Sequence, residues 1–110
     1  MSVCEILREG PRAQVALLGK LTAAEVPELQ AALKGEIATG ATDLLIDMAA
    51  TTLIDSTGIG LLIAISNSLA PVQGKVQVRN VLPDIFGLLR SMRLVDRLHV
   101  TAAEKDSTHG

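Results

Sequence analysis

Four consecutive residues, Asp55-Ser56-Thr57-Gly58, hold the densest group of chemically able side chains in this 110-residue sequence: a carboxylate, two hydroxyls and a glycine. They follow an aliphatic run, Leu44-Leu45-Ile46-Asp47-Met48, and precede another, Leu61-Leu62-Ile63-Ala64-Ile65. Strand, short loop and helix is the local reading, which sets the polar group at a helix start. There the first backbone N–H groups lack intrahelical partners, and short oxygen-bearing side chains accept from them. Two uses fit that position. One is a plain N-cap cluster, with Gly58 and Gly60 serving close packing. The other is an exposed, oriented hydroxyl that accepts a phosphoryl group. Such an ester carries about −1.5 to −2 charge at neutral pH, at the end of a helix dipole that favours anions by roughly 0.3 to 1 kcal/mol. Local spacing alone does not choose between them.

Other chemistry is poorly supported. Ser56 lacks the G-x-S-x-G elbow, and His99 and His109 fall in a terminal strand and a polar tail, with no base aimed at the hydroxyl. Gly58-Ile59-Gly60 is not a dinucleotide fingerprint, because position 63 is Ile and Val78 and Arg79 stand where an acidic residue is needed. Gly19-Lys20 follows no glycine-rich loop, so there is no P-loop. Asp47 and Asp55 have no His or Cys nearby to complete a metal site. They read as a strand-end hydrogen-bonding residue and a loop organiser. No metal, cofactor or catalytic residue is expected.

The totals narrow the class further. Hydrophobic residues make up 48% and charged residues 20%, which predicts one packed domain over residues 1–103 and a polar, disordered tail over 104–110. A net charge of −2, with one Phe and no Trp or Tyr, offers neither a basic footprint nor stacking platforms for nucleic acid. Cys4 is the single cysteine and reads as a small buried hydrophobe on a strand, in keeping with a reducing compartment. Met1 to Glu5 lack signal-peptide character, and Ser66-Asn67-Ser68 interrupts the longest apolar run well short of the about 20 residues a bilayer span needs. These features predict a cytoplasmic protein without membrane insertion.

The elements that position the polar group follow in order. Val3 to Arg8 and Gln14 to Leu18 form a hairpin about Gly10-Pro11. Thr22 and Glu25 match a capping box, while Pro27 belongs in a first turn. A loose turn at 23–26 and regular helix from Pro27 to Gly40 is the expectation, with Val26, Leu29, Leu33 and Ile37 inward. Asp43 to Met48 is a buried central strand, its apolar residues being continuous. A second helix spans about Thr57 to Leu69, and Pro71 and Gly74 end it. Lys75 to Val81 alternates as a strand with one slip at Asn80. A third helix opens at Pro83 with Ile85, Leu88, Leu89 and Met92 inward, and Leu98 to Thr101 gives a last short strand. The order β-β-α-β-α-β-α-β predicts an α/β fold with a mixed, mostly parallel four- to five-stranded sheet. Sites in such sheets lie at the carboxyl ends of strands, where Ser56 falls. On the second helix, Ile59, Leu62, Ile63 and Ser66 form one stripe, and Leu61 with Ile65 another. The second stripe is either buried under the third helix or exposed beside Ser56 as a docking patch.

Taken together, Val26-Pro27-Glu28-Leu29, Ile46-Asp47-Met48 and above all Ile54-Asp55-Ser56-Thr57-Gly58-Ile59-Gly60 resemble the STAS domain family over nearly the whole chain. They are most similar to the single-domain anti-sigma factor antagonists (anti-anti-sigma factors) of bacterial partner-switching systems. The resemblance implies a STAS fold and a binding protein rather than an enzyme. Unphosphorylated, such a protein docks on an anti-sigma factor that is also a serine kinase. Phosphorylation of the residue matching Ser56 separates the pair, and a serine phosphatase resets it. Asp55, Ser56, Thr57, Gly58, Ile59, Leu61 and Thr22 are the implied partner-binding residues: Asp55 positions the loop, Thr57 caps the helix, and Gly58 lets a partner's backbone or nucleotide approach. Lys20 and Thr22 depart from the family, which often has acidic residues in that loop. The resemblance also allows a constitutive STAS subunit of a lipid-transport ATPase complex. A monomer is expected, or a weak homodimer if Leu61 and Ile65 are exposed.

Overall fold

A computed structural model describes residues 2–103, so the tail expected at 104–110 lies outside the described residues. Its strands are β1 (Cys4–Glu9), β2 (Arg12–Leu17), β3 (Asp43–Asp47), β4 (Lys75–Val81) and β5 (Val100–Ala102). Its helices are α1 (Val26–Ala38), α2 (Ser56–Leu69) and α3 (Pro83–Ser91), with a 3₁₀ turn at Ala70–Val72. The five strands lie in sequence order, β1-β2-β3-β4-β5. The β1–β2 hairpin is antiparallel and every later pairing is parallel, so β3 takes the central place. This is the mixed α/β sheet the sequence predicts.

Alternation along β2 and β4 decides which side carries the core. Ala13, Val15, Leu17, Val76, Val78 and Val81 are buried, whereas Gln14 and Arg79 are exposed. Residues two apart share a face, so one surface of the sheet is apolar and the other polar. Leu29 and Leu33 of α1, Ile59 and Leu62 of α2, and Ile85 and Leu89 of α3 join those strand residues in one cluster. All three helices therefore cover the same face. Leu45 points to the opposite face and lies outside the cluster, yet it is buried, flanked in register by Gln14 and Gln77.

Local chemistry explains where the elements start and stop. At α1, the Glu25 carboxylate accepts from the Thr22 N–H at 2.8 Å and from the Thr22 hydroxyl at 2.6 Å. Only the backward half of the expected capping box forms, because the Thr22 hydroxyl donates to Glu25 instead of accepting from a backbone N–H. The helix closes at Thr39 with Gly40 at φ +106°, a conformation that glycine adopts without strain. Arg8, from β1, closes the same end from outside: it bonds the Thr39 carbonyl at 2.9 Å and the Glu36 carboxylate at 3.0 Å. A cation there also meets the negative end of the helix dipole. Cys4 is half-buried on β1 against the core, and burial, then Glu28 and Glu36, push its thiol pKa up.

Two expectations for helix faces need correction. Leu61 and Ile65 are buried, not exposed, and α2 packs on α1 and β4. A helix apolar on most sides, as α2 is, has two faces to bury and receives a neighbour for each. The docking patch on that stripe, and the homodimer that would use it, have no exposed surface. On α3 only Ile85 and Leu89 are buried, while Leu88 and Met92 are 40% and 46% exposed, because this short helix lies at the sheet margin near β5. Leu89→Ala should therefore cost about 2–5 kcal/mol and Leu88→Ala about 1 kcal/mol or less, read from urea unfolding midpoints at unchanged slope.

Candidate functional site

The carboxyl ends of β2 and β3 run into two loops that are joined to each other. Leu21 forms a parallel bridge with Ile54, the Leu21 N–H donates to the Leu53 carbonyl at 2.9 Å, and the Asp55 N–H donates to the Leu21 carbonyl at 3.3 Å. Thr51, buried, adds a third link by donating its hydroxyl to the Gly19 carbonyl at 2.8 Å. The loop holding Lys20 and Thr22 thus lies beside the segment that leads into Ser56.

Asp55 is the N-cap of α2, in extended conformation. One carboxylate oxygen accepts from the Gly58 N–H at 2.9 Å; the other accepts from the Ala23 N–H at 3.0 Å. A single side chain thereby satisfies a free donor of the helix and ties it to a segment 32 residues away. These bonds, Gly58 first, then Ala23 and Thr57, hold the Asp55 carboxyl below its ordinary pKa. Glu25 is lowered as well, by the Thr22 hydroxyl first and then the Thr22 N–H, with Lys20 adding to it. Two ionised carboxylates therefore flank this end of the sheet.

Ser56 is the first residue of α2 and is exposed, as is Thr57 beside it. Among the described residues the Ser56 hydroxyl has no protein partner, and the His99 ring is occupied with the Val76 carbonyl at 3.0 Å. Ser56 thus faces solvent at the first turn of α2. Thr22 is partly buried and committed to Glu25.

The remaining implied contact residues sit differently. Thr57 does not cap the helix; Asp55 does, because α2 begins one residue earlier than the expected Thr57. Gly58 is buried, and a Cβ there would overlap the Leu21 carbonyl oxygen, so its missing side chain serves an internal close approach and no partner can reach it. Ile59 and Leu61, 5% and 4% exposed, belong to the core and offer nothing to a partner. Gly60, in contrast, is exposed with open space where a Cβ would go. Exposed apolar surface at this end comes instead from Leu18 and Leu53, 47% and 52% exposed, on the two joined loops. No periodicity marks them, since loop residues have none; their apolar type beside the polar group is the one available signal.

The fold and site together define a small α/β domain, helices on one face, presenting an exposed serine at the carboxyl edge of its sheet. A family model described as "Mlab, STAS domain" matches residues 4–100, and the chain belongs to this STAS family. Among solved structures, the phosphorylated form of the Bacillus cell fate determinant SpoIIAA superposes with a TM-score of 0.74 at 17% identity, covering 96% of this chain and 95% of that one. An anti-sigma-factor antagonist (STAS) domain protein from Planctomyces limnophilus gives 0.79 at 17%, covering 97% and 95%. An anti-sigma factor antagonist from Mycobacterium paratuberculosis gives 0.78 at 19%, covering 94% and 87%. These likenesses establish the STAS fold. No curated protein matches the chain.

Two measurements check the construction of the site. Gly58→Ala should destabilise by about 1–3 kcal/mol through overpacking against Leu21, whereas Gly60→Ala should be neutral or stabilising by up to about 1 kcal/mol, both by urea unfolding. Because the Asp55 pKa is lowered on folding, its contribution is complete above the ordinary carboxylate value, about 3.9, and vanishes as pH falls through the depressed folded value. Asp55→Ala should accordingly lower the Tm at neutral pH, with the gap to wild type closing in strong acid.

Proposed function

We propose that this chain is an anti-sigma factor antagonist: unphosphorylated it binds an anti-sigma factor that is also a serine kinase, and phosphorylation at Ser56 releases it. The observation that carries the reading is the exposed, unpartnered Ser56 hydroxyl at the first position of α2, on a loop held in place by Asp55. Membership of the STAS family and the antagonists among the structural likenesses support it. The docking surface is Ser56 and Thr57, with Leu18 and Leu53 supplying apolar contact. Asp55 and Thr22 act from behind, as positioning residues. The kinase supplies the chemistry, and a serine phosphatase removes the group. Among the described residues no helix is long and apolar enough to cross a membrane.

Phosphorylation acts here by charge and bulk. The ionised Asp55 already stands next to Ser56, so a dianion adds like charge to a surface whose partner fits the neutral hydroxyl. A loss of about 2.8 kcal/mol weakens binding about 100-fold. The helix itself tolerates the group, because anions are favoured at its N-terminus.

The matching family model is described as "Mlab, STAS domain" and not as an antagonist, which leaves a second reading, the constitutive STAS subunit of a lipid-transport ATPase complex that the resemblance allows. One experiment separates the two. The protein is incubated with ATP and a panel of candidate anti-sigma factor serine kinases, and the products are mapped by peptide mass. Phosphate is expected on Ser56 and absent from Ser56→Ala; phosphate elsewhere, or none, overturns the switch. Affinity for the kinase that modifies it should be retained in Ser56→Ala and reduced about 100-fold in Ser56→Glu. Equal affinities would instead favour the constitutive subunit.

A further inference from the structure

The face of the sheet without helices holds a recess of about 150 Å³ at the carboxyl ends of β2, β3 and β4. Its sides are Gln14, Asp47, Arg79 and Asn80, over Ala16 and Leu45. The last row of the sheet explains the arrangement. Ala16, Asp47 and Arg79 are register neighbours on adjacent strands, with side chains on the same face.

Two features distinguish the recess from an ordinary solvated sheet surface. The first is a β-bulge. Strict alternation after Val78 would turn Asn80 inward and Val81 outward, but the β4–β5 register shifts between Val78 and Val81, and Asn80 adopts φ +58°. Val81 stays in the core, and Asn80 joins Arg79 at the recess. Bulges re-aim side chains in this manner, commonly beside sites. The second is a pair of opposite charges left apart. Asp47 and Arg79 are register partners yet form no ion pair, although Arg12 and Asp43, at the other end of the same face, do so at 3.1 Å. One Asp47 oxygen accepts from the Ala49 N–H at 2.9 Å, and Arg79 has a single long contact to Gln77 at 3.5 Å. Among the described residues no other partner engages the guanidinium fork or the second carboxylate oxygen.

We propose that this recess binds a small zwitterion of the α-amino acid class. The ligand's carboxylate lies against the Arg79 guanidinium and the Asn80 amide, its ammonium against Asp47 and the Gln14 carbonyl oxygen, and its carbon atoms over Leu45 and Ala16. Fork-to-carboxylate pairing is the strong, directional interaction that arginine makes. A ligand with both charges fits the gap between Asp47 and Arg79, whereas a phosphate or dicarboxylate would face Asp47 and a cation would face Arg79. The volume, about that of five water molecules, suits a ligand of amino-acid size. Neither Ser56 nor Thr57 lines the recess.

The test is a two-dimensional amide NMR titration of the whole chain with a panel of L-amino acids, each paired with its amide and its N-acetyl derivative. Ligand is raised to roughly 50 mM, beyond the millimolar range of weak small-ligand affinity. Saturable shifts at Ala16, Leu45, Asp47 and Asn80 are expected with at least one amino acid, with its single-charge analogues about tenfold weaker or more. Arg79→Gln and Asp47→Asn should each weaken binding about tenfold while leaving the remaining spectrum, and hence the fold, unchanged. Absence of saturable shifts across the panel overturns the proposal. So do equal affinities for zwitterion and N-acetyl derivative, or undiminished binding in both variants.

Discussion

One carboxylate holds the two loops at the carboxyl edge together. Asp55 accepts from Gly58, in its own helix, and from Ala23, across the gap to the preceding loop. Each bond fixes a different degree of freedom: the first sets where α2 begins, the second sets how far that beginning stands from β2. Gly58 completes the geometry, because only a residue without a side chain lets the helix start press against the Leu21 carbonyl. Ser56 lies between these two fixed points, on the outer side. Its exposure follows from how tightly its neighbours are committed inward.

The sheet behind this junction is one-sided, and that asymmetry sorts the residues by role. Helices α1, α2 and α3 all draw on the apolar face, so the apolar residues of α2 are spent on the core and little of that helix remains for contact with another molecule. Apolar surface near Ser56 then has to come from loops, and Leu18 and Leu53 supply it. The opposite face keeps its charges and amides. Arg12 and Asp43 neutralise each other at one end, whereas Asp47 and Arg79 at the other end do not.

Much of this was readable from residue order, for identifiable reasons. Strong local punctuation placed the elements: Gly10-Pro11 in the hairpin, Pro83 at the start of α3, and alternation over Lys75 to Val81. Even the bulge has a trace in the sequence, since Asn80 breaks the alternation at the residue that takes positive φ. Tertiary packing was less legible. Residues 59–65 of α2 are apolar nearly all round, so no stripe declares which neighbour it meets. Leu88 and Met92 repeat at helical spacing like core residues, yet they lie at a margin where nothing covers them. The capping residue moves two positions, from Thr57 to Asp55, because Asp55, Ser56 and Thr57 are all competent caps, and Asp55 alone bonds both Gly58 and Ala23.

The edges of the sheet carry a consequence of their own. A β-ladder ends in unpaired N–H and C=O groups that can recruit a stray strand from another chain. Here one border is β5, three residues long, and the other is β1, where Glu5, Arg8 and Glu9 place charges of both signs along six residues. Arg8 is also anchored to α1, which ties that border to the body of the domain. A newcomer aligning with β1 would have to accommodate those charges, and one aligning with β5 would find almost no template. The same short, charged margins offer little template for backbone pairing with a second chain.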